Sequence, residues 1–369
     1  MMKSPMKISR RQSGFNIIEL MVGITISLFG LAAVSTMMMT FASKRASITS
    51  TLSAQDSGVM ALFRIERDVA QAGYGLMHLQ TCATITDGTA VNSPVPVTIG
   101  DGGTGSDTIE LQYVNSRSGS PGTGLYVASP ATIVQTSATY KVASSLGFTA
   151  GDYVVSNAAT SVTTPTSCIV TKIAAPTGTA PAISITTAPG EPVLTQSEQT
   201  DSYLENWGQP GEFVRRMFEV SNGTLSLREY NRAQTDGLDA TANTLVNDIV
   251  YLKAQYGMTA TTPTGTAGCT RSSDVVTSWV SGATVVSGAN SCGVIAIRVG
   301  LVARSALREN ESVELASANT ALTVLPAITS AAGVELFPAV TYDPGTAATR
   351  YRHRVYSTII PLKNVIWSK

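Results

Sequence analysis

One apolar segment near the N-terminus constrains the fold of this 369-residue chain more than any other feature. Residues 15–41 contain no proline and only one ionisable side chain, that of Glu19. As an α-helix that rises about 1.5 Å per residue, this segment would be roughly 40 Å long, which is enough to cross a bilayer. The segment therefore predicts a membrane-spanning helix, followed by a large region outside the membrane.

The charges on either side of the apolar segment predict its orientation. Residues 1–14 contain basic side chains and no acidic ones, and the opposite flank carries fewer basic side chains. The basic residues are Lys3, Lys7, Arg10 and Arg11 before the segment and Lys44 and Arg45 after it. Because strongly basic flanks stay in the cytoplasm, the rest of the chain is expected on the outer side of the membrane.

Glu19 is an unusual residue to find inside such a segment. An unpaired acid at membrane depth costs about 2.5–3.5 kcal/mol even on the lenient insertion scale, which predicts a partner for this carboxylate. Alternatively, a carboxylate this close to the helix end could reach the lipid headgroups without any partner. The position of Glu19 by itself leaves both interpretations open.

The residues around Glu19 resemble the class III signal of type IV prepilins and pseudopilins. Gly14-Phe15 follows a short basic leader, and Glu19 is the fifth residue after Gly14. The resemblance implies that a membrane prepilin peptidase cuts after Gly14 and N-methylates Phe15. It also implies that Glu19 of an incoming subunit neutralises the terminal amine of its neighbour. An ordinary secretory signal is cut after a shorter apolar core, whereas here the apolar helix would be kept.

The helix is expected to continue beyond the membrane as an amphipathic helix. Apolar residues recur at spacings near three and four, which predicts one apolar stripe as far as about Ala72. These residues are Ile48, Leu52, Val59, Leu62, Phe63 and Val69. Gly73 and Gly75 are expected to end the helix. The charged residues expected on its solvated face are Arg64, Glu66, Arg67 and Asp68.

Short β-like runs follow, separated by Thr, Ser, Gly, Ala and Pro residues. Asn222-Gly223, between the runs 213–220 and 224–230, is a strong signal for an antiparallel hairpin. Further candidate strands are 109–114, 153–155, 168–173, 183–187, 249–256, 294–303 and 351–360. The fragment 102–107 fits one copy of a calcium-binding β-helix repeat, but no second copy follows, so a glycine-rich loop is the better interpretation.

Two further segments make the resemblance to type IV pilins more specific. Residues 67–74, followed by Cys82, resemble the end of the long helix in PilW-type minor pilins, and residues 351–364 resemble their closing segment. The resemblance implies a pilin-like α+β fold, with a long N-terminal helix on antiparallel β-sheet and a large β-rich insertion. The regions are then a leader (1–14), a transmembrane half-helix (15–41), an amphipathic half-helix (42–75), a β-rich, loop-heavy region (76–211) and an antiparallel C-terminal region (212–369).

The four cysteines all lie on the exported side of the predicted membrane helix. An even count in an oxidising compartment favours two disulfides, although four cysteines allow three connectivities. We favour Cys82–Cys168 and Cys269–Cys292, because each pair encloses one loop-rich region. A metal site is the weaker alternative, since no Cys-x-x-Cys spacing occurs and the two histidines are far apart in the sequence.

Composition and motifs argue against several functional classes. Basic and acidic residues are balanced at 25 each, and no basic stripe interleaved with aromatic residues indicates direct nucleic-acid binding. No Gly-x-Ser-x-Gly, His-Glu-x-x-His or phosphate-loop motif occurs, and two histidines leave little equipment for acid–base catalysis. We therefore expect no enzymatic activity, no metal and no other cofactor.

The resemblance implies a minor pilin that takes part in the initiation and assembly of a type IV pilus, with the tip as one position. The implied partners are other minor and major pilins, the prepilin peptidase and the inner membrane. We expect a single-pass inner-membrane protein with its C-terminal region in the periplasm, later incorporated into the pilus at the cell surface. The alternative is a J-type pseudopilin of a type II secretion system, and a membrane-tethered exported enzyme is less favoured.

Overall fold

The structure is a computed structural model that contains one long helix and many short strands. It describes residues 14, 16–76, 82–92, 95–115, 125–126, 139–142, 147–157, 166–178, 183–191, 203–264, 268–284, 286, 290–308, 321–329, 335–345 and 350–367. The chain divides into two compact units, Met1–Leu52 and Ser53–Lys369.

Helix α1 runs from Ile17 to Val69, which is 53 residues. Its first turn forms on the Asn16 carbonyl oxygen, which accepts hydrogen bonds from the backbone N–H groups of Glu19 and Leu20. The helix gives way to a turn at residues 70–75, where Gly73 has a φ angle of +83°. This left-handed conformation suits glycine, and the expected glycine stop is confirmed.

The strands follow in chain order from Cys82 to Pro361. They are Cys82–Asp87 (β1), Ala90–Asn92 (β2), Val97–Gly100 (β3), Thr108–Val114 (β4), Leu125–Tyr126 (β5), Thr139–Val142 (β6), Tyr153–Asn157 (β7), Thr166–Lys172 (β8), Ile183–Thr186 (β9), Tyr203–Gly208 (β10), Phe213–Ser221 (β11), Thr224–Glu229 (β12), Asn243–Asn247 (β13), Ile249–Met258 (β14), Thr261–Thr264 (β15), Gly268–Arg271 (β16), Ser278–Ser281 (β17), Val294–Arg304 (β18), Leu322–Leu325 (β19), Ile328–Thr329 (β20), Glu335–Phe337 (β21), Val340–Tyr342 (β22) and His353–Pro361 (β23). A 3-10 turn, Ser291–Gly293, precedes β18, and a short helix α2, Lys363–Trp367, follows β23.

Three sheets of four or more strands organise the unit Ser53–Lys369. A six-stranded sheet has the order β2-β1-β8-β7-β10-β5, a five-stranded sheet the order β13-β12-β11-β4-β3, and a four-stranded sheet the order β17-β14-β18-β23. The neighbouring strands in these sheets are antiparallel, except that β1 and β8 are parallel. Four two-stranded ladders complete the described β structure.

The expected hairpin is confirmed at β11 and β12. These strands pair from Arg216 with Glu229 to Ser221 with Thr224, so Asn222 and Gly223 form the two-residue turn. Both turn residues have positive φ angles, 50° and 75°, as this type of tight hairpin turn requires.

The main core lies between the second half of α1 and the five- and four-stranded sheets. The helix contributes Ala54, Ala61, Ile65 and Val69, which pack with apolar residues of β3, β4, β11, β12, β14, β18 and β23. This is the long helix on antiparallel β-sheet that the sequence predicts, and the α+β fold class is confirmed. A second core, around Trp207 and the Cys82–Cys168 pair, lies beside the six-stranded sheet.

The buried face of α1 differs from the predicted apolar stripe. Val59 and Phe63 are largely exposed, whereas the small residues Ala54 and Ala61 are buried. A Cβ atom added to Gly58 would lie 2.2 Å from Cε2 of Tyr356 in β23. At Gly58 the helix therefore comes close to β23, because a glycine leaves room for the Tyr356 ring.

The prediction that Asp68 is solvated is also wrong. The Asp68 side chain is only 6% exposed, and its Oδ2 atom lies 3.0 Å from Nη1 of Arg216 in β11. The charged residues predicted to share one solvated face therefore differ in burial, because Asp68 is buried. Glu66 and Arg67 are exposed as expected.

Candidate functional site

The residues predicted to direct processing and assembly lie at the start of α1. Gly14 is exposed, and a Cβ atom added there would meet no atom within 4 Å. Glu19 is exposed in the first turn of the helix, and within the described residues its side chain makes no hydrogen bond or ion pair. Phe15 lies outside the described residues, so its predicted pairing with Glu19 of a neighbour stays a prediction.

The apolar part of α1 is long and apolar enough to cross a membrane. Its most apolar 18-residue window has a mean hydropathy of 2.2, and none of that window is buried within the chain. The hydroxyl groups in this part bond back to the helix: Thr25 donates to the Val22 carbonyl oxygen at 2.9 Å. Ser27 donates to the Gly23 carbonyl oxygen at 2.8 Å. These hydroxyl donors therefore need no water, which suits a hydrocarbon environment.

The two segments that resemble PilW-type minor pilins meet at the turn after α1. The Asn364 side-chain amide of α2 donates hydrogen bonds to the carbonyl oxygens of Gln71 and Ala72, at 3.1 and 3.2 Å. The backbone N–H of Gly73 donates to the Gln112 carbonyl oxygen of β4 at 2.9 Å. Carbonyl groups at a helix end lack partners within the helix. Asn364 therefore supplies a donor to Ala72 and a second donor to Gln71, whose carbonyl oxygen also accepts from the Tyr74 backbone N–H.

A buried ion pair joins the last turn of α1 to the five-stranded sheet. Arg216 contacts the carboxylates of both Asp68 and Glu229, with Nη2 lying 3.2 Å from Oε1 of Glu229. Burial opposes the charge of Arg216, but Asp68, Tyr113 and Glu229 together outweigh this and raise the pKa of the guanidinium above its usual value. The pair fixes the end of the helix on β11, because either charge alone would be costly to bury.

The structure joins the four cysteines in the connectivity that the sequence analysis favours. Cys82 of β1 bonds Cys168 of the neighbouring strand β8, with Cα atoms 5.6 Å apart. Cys269 of β16 bonds Cys292, with Cα atoms 6.0 Å apart. Beside the second disulfide, Arg271 donates to the carbonyl oxygens of Val365 and Ile366, so the loop region is also tied to α2.

The glycine-rich fragment 102–107 binds the ammonium group of Lys253, which belongs to a distant strand. Nζ of Lys253 in β14 donates to the Gly103 carbonyl oxygen at 2.7 Å and to Oδ1 of Asp107 at 2.6 Å. Both charged side chains are buried, at 8% and 3% exposure. Oxygen atoms of the fragment that fits a calcium-binding repeat therefore bind the Lys253 ammonium group. This geometry agrees with the interpretation of the fragment as a glycine-rich loop.

A cavity of about 450 Å³ opens between β10, β11 and β12. Its wall includes Arg232, which pairs with Asp87 and with Glu191, and the stacked rings of Trp207 and Phe213. Burial raises the pKa of Asp87 in spite of the neighbouring Arg232. In the same wall Asp239 accepts a hydrogen bond from the Asn231 side-chain amide at 2.7 Å.

The C-terminal part of the chain matches a known protein family. Residues 213–364 match the family model described as Type IV Pilus-assembly protein W. The PilW-type resemblance is confirmed over this range, which contains the β11–β12 hairpin, Arg216, the Cys269–Cys292 disulfide and Asn364. Residues 351–364 lie inside the matched region and contact residues 71–72 at the end of α1 through Asn364.

Other comparisons add little. No curated protein sequence matches the chain. A solved structure, a type IV-like pilin from Thermus thermophilus, is 10% identical and aligns over 84% of this chain and 97% of its own, with a TM-score of 0.33. A TM-score of this size does not establish a shared fold.

Several structural residues of the PilW-matching region were missed in the sequence. Arg216 and Lys253 find their acidic partners 148 and 146 residues away, so no local spacing could reveal them. Arg298 lies on an alternating strand and could be read as an exposed residue, yet it is buried. Asn364 was included in the predicted closing segment, but its hydrogen bonds to the helix end required the tertiary structure.

Proposed function

We propose that this protein is a minor pilin that helps to initiate and assemble a type IV pilus and becomes part of it. The observation that carries the proposal is the match of residues 213–364 to the type IV pilus-assembly family. A prepilin-like signal at Gly14-Phe15 and a long apolar helix support the same function. A position at the pilus tip is part of the proposal.

The first step of the proposed function is leader removal. A membrane peptidase would cut after Gly14 and methylate the new terminal amine of Phe15. Gly14 is exposed and has open space around its Cα atom, which supports access by such a peptidase. The retained helix would hold the protein in the inner membrane, with the C-terminal region in the periplasm before assembly.

The second step is docking through Glu19. This carboxylate is exposed beside apolar side chains and has no described partner within its own chain. In a membrane such a group is costly, and the terminal amine of a neighbouring subunit would carry the opposite charge. Pairing the two removes both costs at once, so assembly is favoured over the isolated subunit.

We propose no catalytic activity for the protein. The sequence contains no Gly-x-Ser-x-Gly, His-Glu-x-x-His or phosphate-loop motif, and Arg232 in the wall of the cavity of about 450 Å³ is paired with Asp87 and Glu191. Its partners are therefore other pilins, the prepilin peptidase and the membrane, with no direct nucleic-acid binding.

Deleting the gene and counting surface pili tests the function directly. We expect few or no pili in the deletion strain, and partial recovery when pilus retraction is also blocked, because initiation rather than stability of the pilus is impaired. Immunogold labelling of the protein along sheared pili tests the tip position. Unchanged pilus numbers in both backgrounds would contradict the proposal, and normal pili with lost protein secretion would favour a J-type pseudopilin instead.

Two substitutions separate processing from docking. Gly14→Val should leave the leader attached, and N-terminal sequencing of the membrane-purified protein measures this. Glu19→Ala should still be cleaved but should lose crosslinks to other pilins, whereas the exposed Glu66→Ala is a control that should keep them. A normal Phe15 terminus in Gly14→Val would refute the signal, and wild-type crosslinking by Glu19→Ala would refute the charge pairing.

A further inference from the structure

Arg298 is a buried cation on the sheet face that points away from α1. In β18 its neighbours Ile297 and Val299 belong to the main core, so Arg298 lies on the opposite face of the four-stranded sheet. The residue is only 2% exposed. A charge in such a position normally has an opposite charge beside it.

The described surroundings of Arg298 supply no such charge. Its Nε atom donates to Oε1 of Gln255 at 2.6 Å, and Nη1 donates to the Pro326 carbonyl oxygen at 3.0 Å. The ring of Trp279 lies 5.4 Å from the guanidinium carbon. Nη2 has no hydrogen-bond partner, and among the described residues no carboxylate lies within ion-pair distance of Arg298.

Other buried cations in the same unit show what is missing. Arg215 has Glu110, and Lys253 has Asp107. For Arg298, burial is the one resolved influence, and it lowers the pKa of the guanidinium. Neutral oxygens and an aromatic face compensate a desolvated cation only in part, so Arg298 retains an unused capacity to bind an anion.

The surface around Arg298 is suited to contact with another protein. Ile359 of β23 stands opposite Arg298 in the strand register and is 58% exposed. Trp279 covers the guanidinium from β17, an edge strand that is paired on one side only. Arginine and tryptophan are enriched at interface hot spots, and the exposed Ile359 beside them adds apolar surface.

We propose that the surface formed by Trp279 and Ile359, with Arg298 buried beneath it, binds a carboxylate side chain of another pilus subunit. This rests on the proposed function, since it gives the chemistry of a partner in assembly. The Trp279 ring turns aside, the carboxylate accepts hydrogen bonds from Nη2, and apolar side chains of the partner cover Ile359. Pairing a desolvated charge in this way provides specificity for one acidic partner over others.

Site-specific photo-crosslinking in cells that express the full-length protein tests the proposal. A photo-reactive residue at Ile359 should crosslink to another pilus subunit, close to an Asp or Glu of that subunit. Arg298→Met should reduce this crosslink by at least about tenfold, because removing one partner of a buried charge pair is costly. The same photo-reactive residue at the exposed Ser221, in the β11–β12 hairpin, is a matched control that should be insensitive to Arg298→Met.

Thermal unfolding of the detergent-purified full chain excludes a purely structural role. Arg298→Met should keep the Tm within about 3 °C of wild type, because no buried carboxylate loses its partner. Arg216→Met, the paired counterpart, should lower the Tm clearly, since it removes the closer of the two cations beside the buried Asp68 and leaves only the largely exposed Arg67. If Arg298→Met does not fold, Arg298→Gln keeps a donor for Gln255 or Pro326 and removes the charge, and the same loss of crosslinking is expected.

Charge reversal provides the decisive result. Arg298→Glu should abolish the Ile359 crosslink, and exchanging the mapped acid of the partner for Arg should restore it. An undiminished crosslink in a folded Arg298→Met or Arg298→Gln variant would overturn the proposal. Crosslinks only within the chain, or only to a second copy of it, would also overturn it. Failure of the proposed function is seen separately, as unchanged pili after gene deletion or a normal Phe15 terminus in Gly14→Val.

Discussion

The two parts of α1, residues 17–41 and 53–69, differ in how far their apolar side chains are buried. Residues 17–41 are exposed along all faces of the helix, including large side chains such as Phe29 and Met39. In Ser53–Val69 one face is buried on antiparallel sheet by small and medium side chains, and the other leaves Phe63 exposed. The same secondary structure therefore serves two different environments.

The difference shows where each part obtains its stability. The second part is fixed by contacts within the chain, so its sequence must fit particular neighbours such as Tyr356. In the first part the described side chains are exposed, and an apolar surface of this extent requires lipid or other subunits to cover it. Substitutions of equal size should thus affect folding in the second part and leave it unaffected in the first.

The largest expected effect tests the buried face against the exposed one. Ile65 is fully buried, and Phe63, two residues earlier, is 60% exposed. Ile65→Ala should lower the free energy of unfolding by about 2–5 kcal/mol, because it removes core contacts and leaves a cavity. Phe63→Ala should change it by no more than about 0.5 kcal/mol. Urea unfolding of the detergent-purified chain, followed by near-UV circular dichroism, measures both, and equal losses would contradict the assigned faces.

A glycine pair tests the close approach of helix and sheet. The Cβ atom of Gly58→Ala would overlap the Tyr356 ring, whereas nothing lies within 4 Å of the corresponding atom at Gly30. Replacing glycine by alanine raises helix propensity equally at both positions. The difference in unfolding free energy between the two variants therefore measures the steric clash with Tyr356. Gly58→Ala should be less stable than Gly30→Ala by about 1–3 kcal/mol in the same unfolding assay. Equal stabilities would mean that the Tyr356 side chain in β23 moves aside at no energetic cost.

A smaller effect is expected at the end of the helix. Asn364→Ala removes the two side-chain hydrogen bonds to the carbonyl oxygens of Gln71 and Ala72. The free energy of unfolding should fall by about 1 kcal/mol, and amide hydrogen exchange should accelerate in the turn at residues 70–75. Lys363→Ala, an exposed neighbour, is the control and should leave both quantities unchanged. Unaltered exchange in Asn364→Ala would show that water replaces the amide at no cost.

The smallest effect depends on pH. The backbone N–H of Gly103 donates to the Asp101 carboxylate and lowers the pKa of this group below its ordinary value of 3.8. The carboxylate therefore stabilises the fold fully above pH 3.8, and this contribution is lost as the pH falls through the lowered pKa. The stability difference between wild type and Asp101→Asn should shrink in acid. Because Asp101 is exposed the difference is small, and a constant difference from pH 7 to acid would contradict it.

Local features of the chain could be predicted because their causes are local. The Asn222-Gly223 turn adopts positive φ angles that few other residues tolerate, and the flanking strands follow within a residue or two. Gly73 ends α1 for the same reason. The favoured cysteine pairs agree with the structure, because each bond closes one region whose strands bring its ends together.

Features that depend on distant partners were predicted less well. The spacing of apolar residues predicted a buried stripe that includes Val59 and Phe63, but the buried face is formed by Ala54, Gly58, Ala61, Ile65 and Val69. Spacing records periodicity, and it does not record how closely two backbones approach. Asp68 was misplaced for a related reason, since its burial depends on Arg216, which lies 148 residues further along the chain.

By itself, the sequence determined an apolar N-terminal helix, its glycine stop, an antiparallel β region and a resemblance to pilus-assembly proteins. These depend on composition, turn chemistry and short motifs, which act between neighbours in the chain. Only the tertiary structure decided which face of α1 is buried, that Asn364 completes the helix end, and that Arg298 is buried without a described acid. Burial and charge pairing are properties of residues that meet in space, and the energy of a charge depends on what surrounds it.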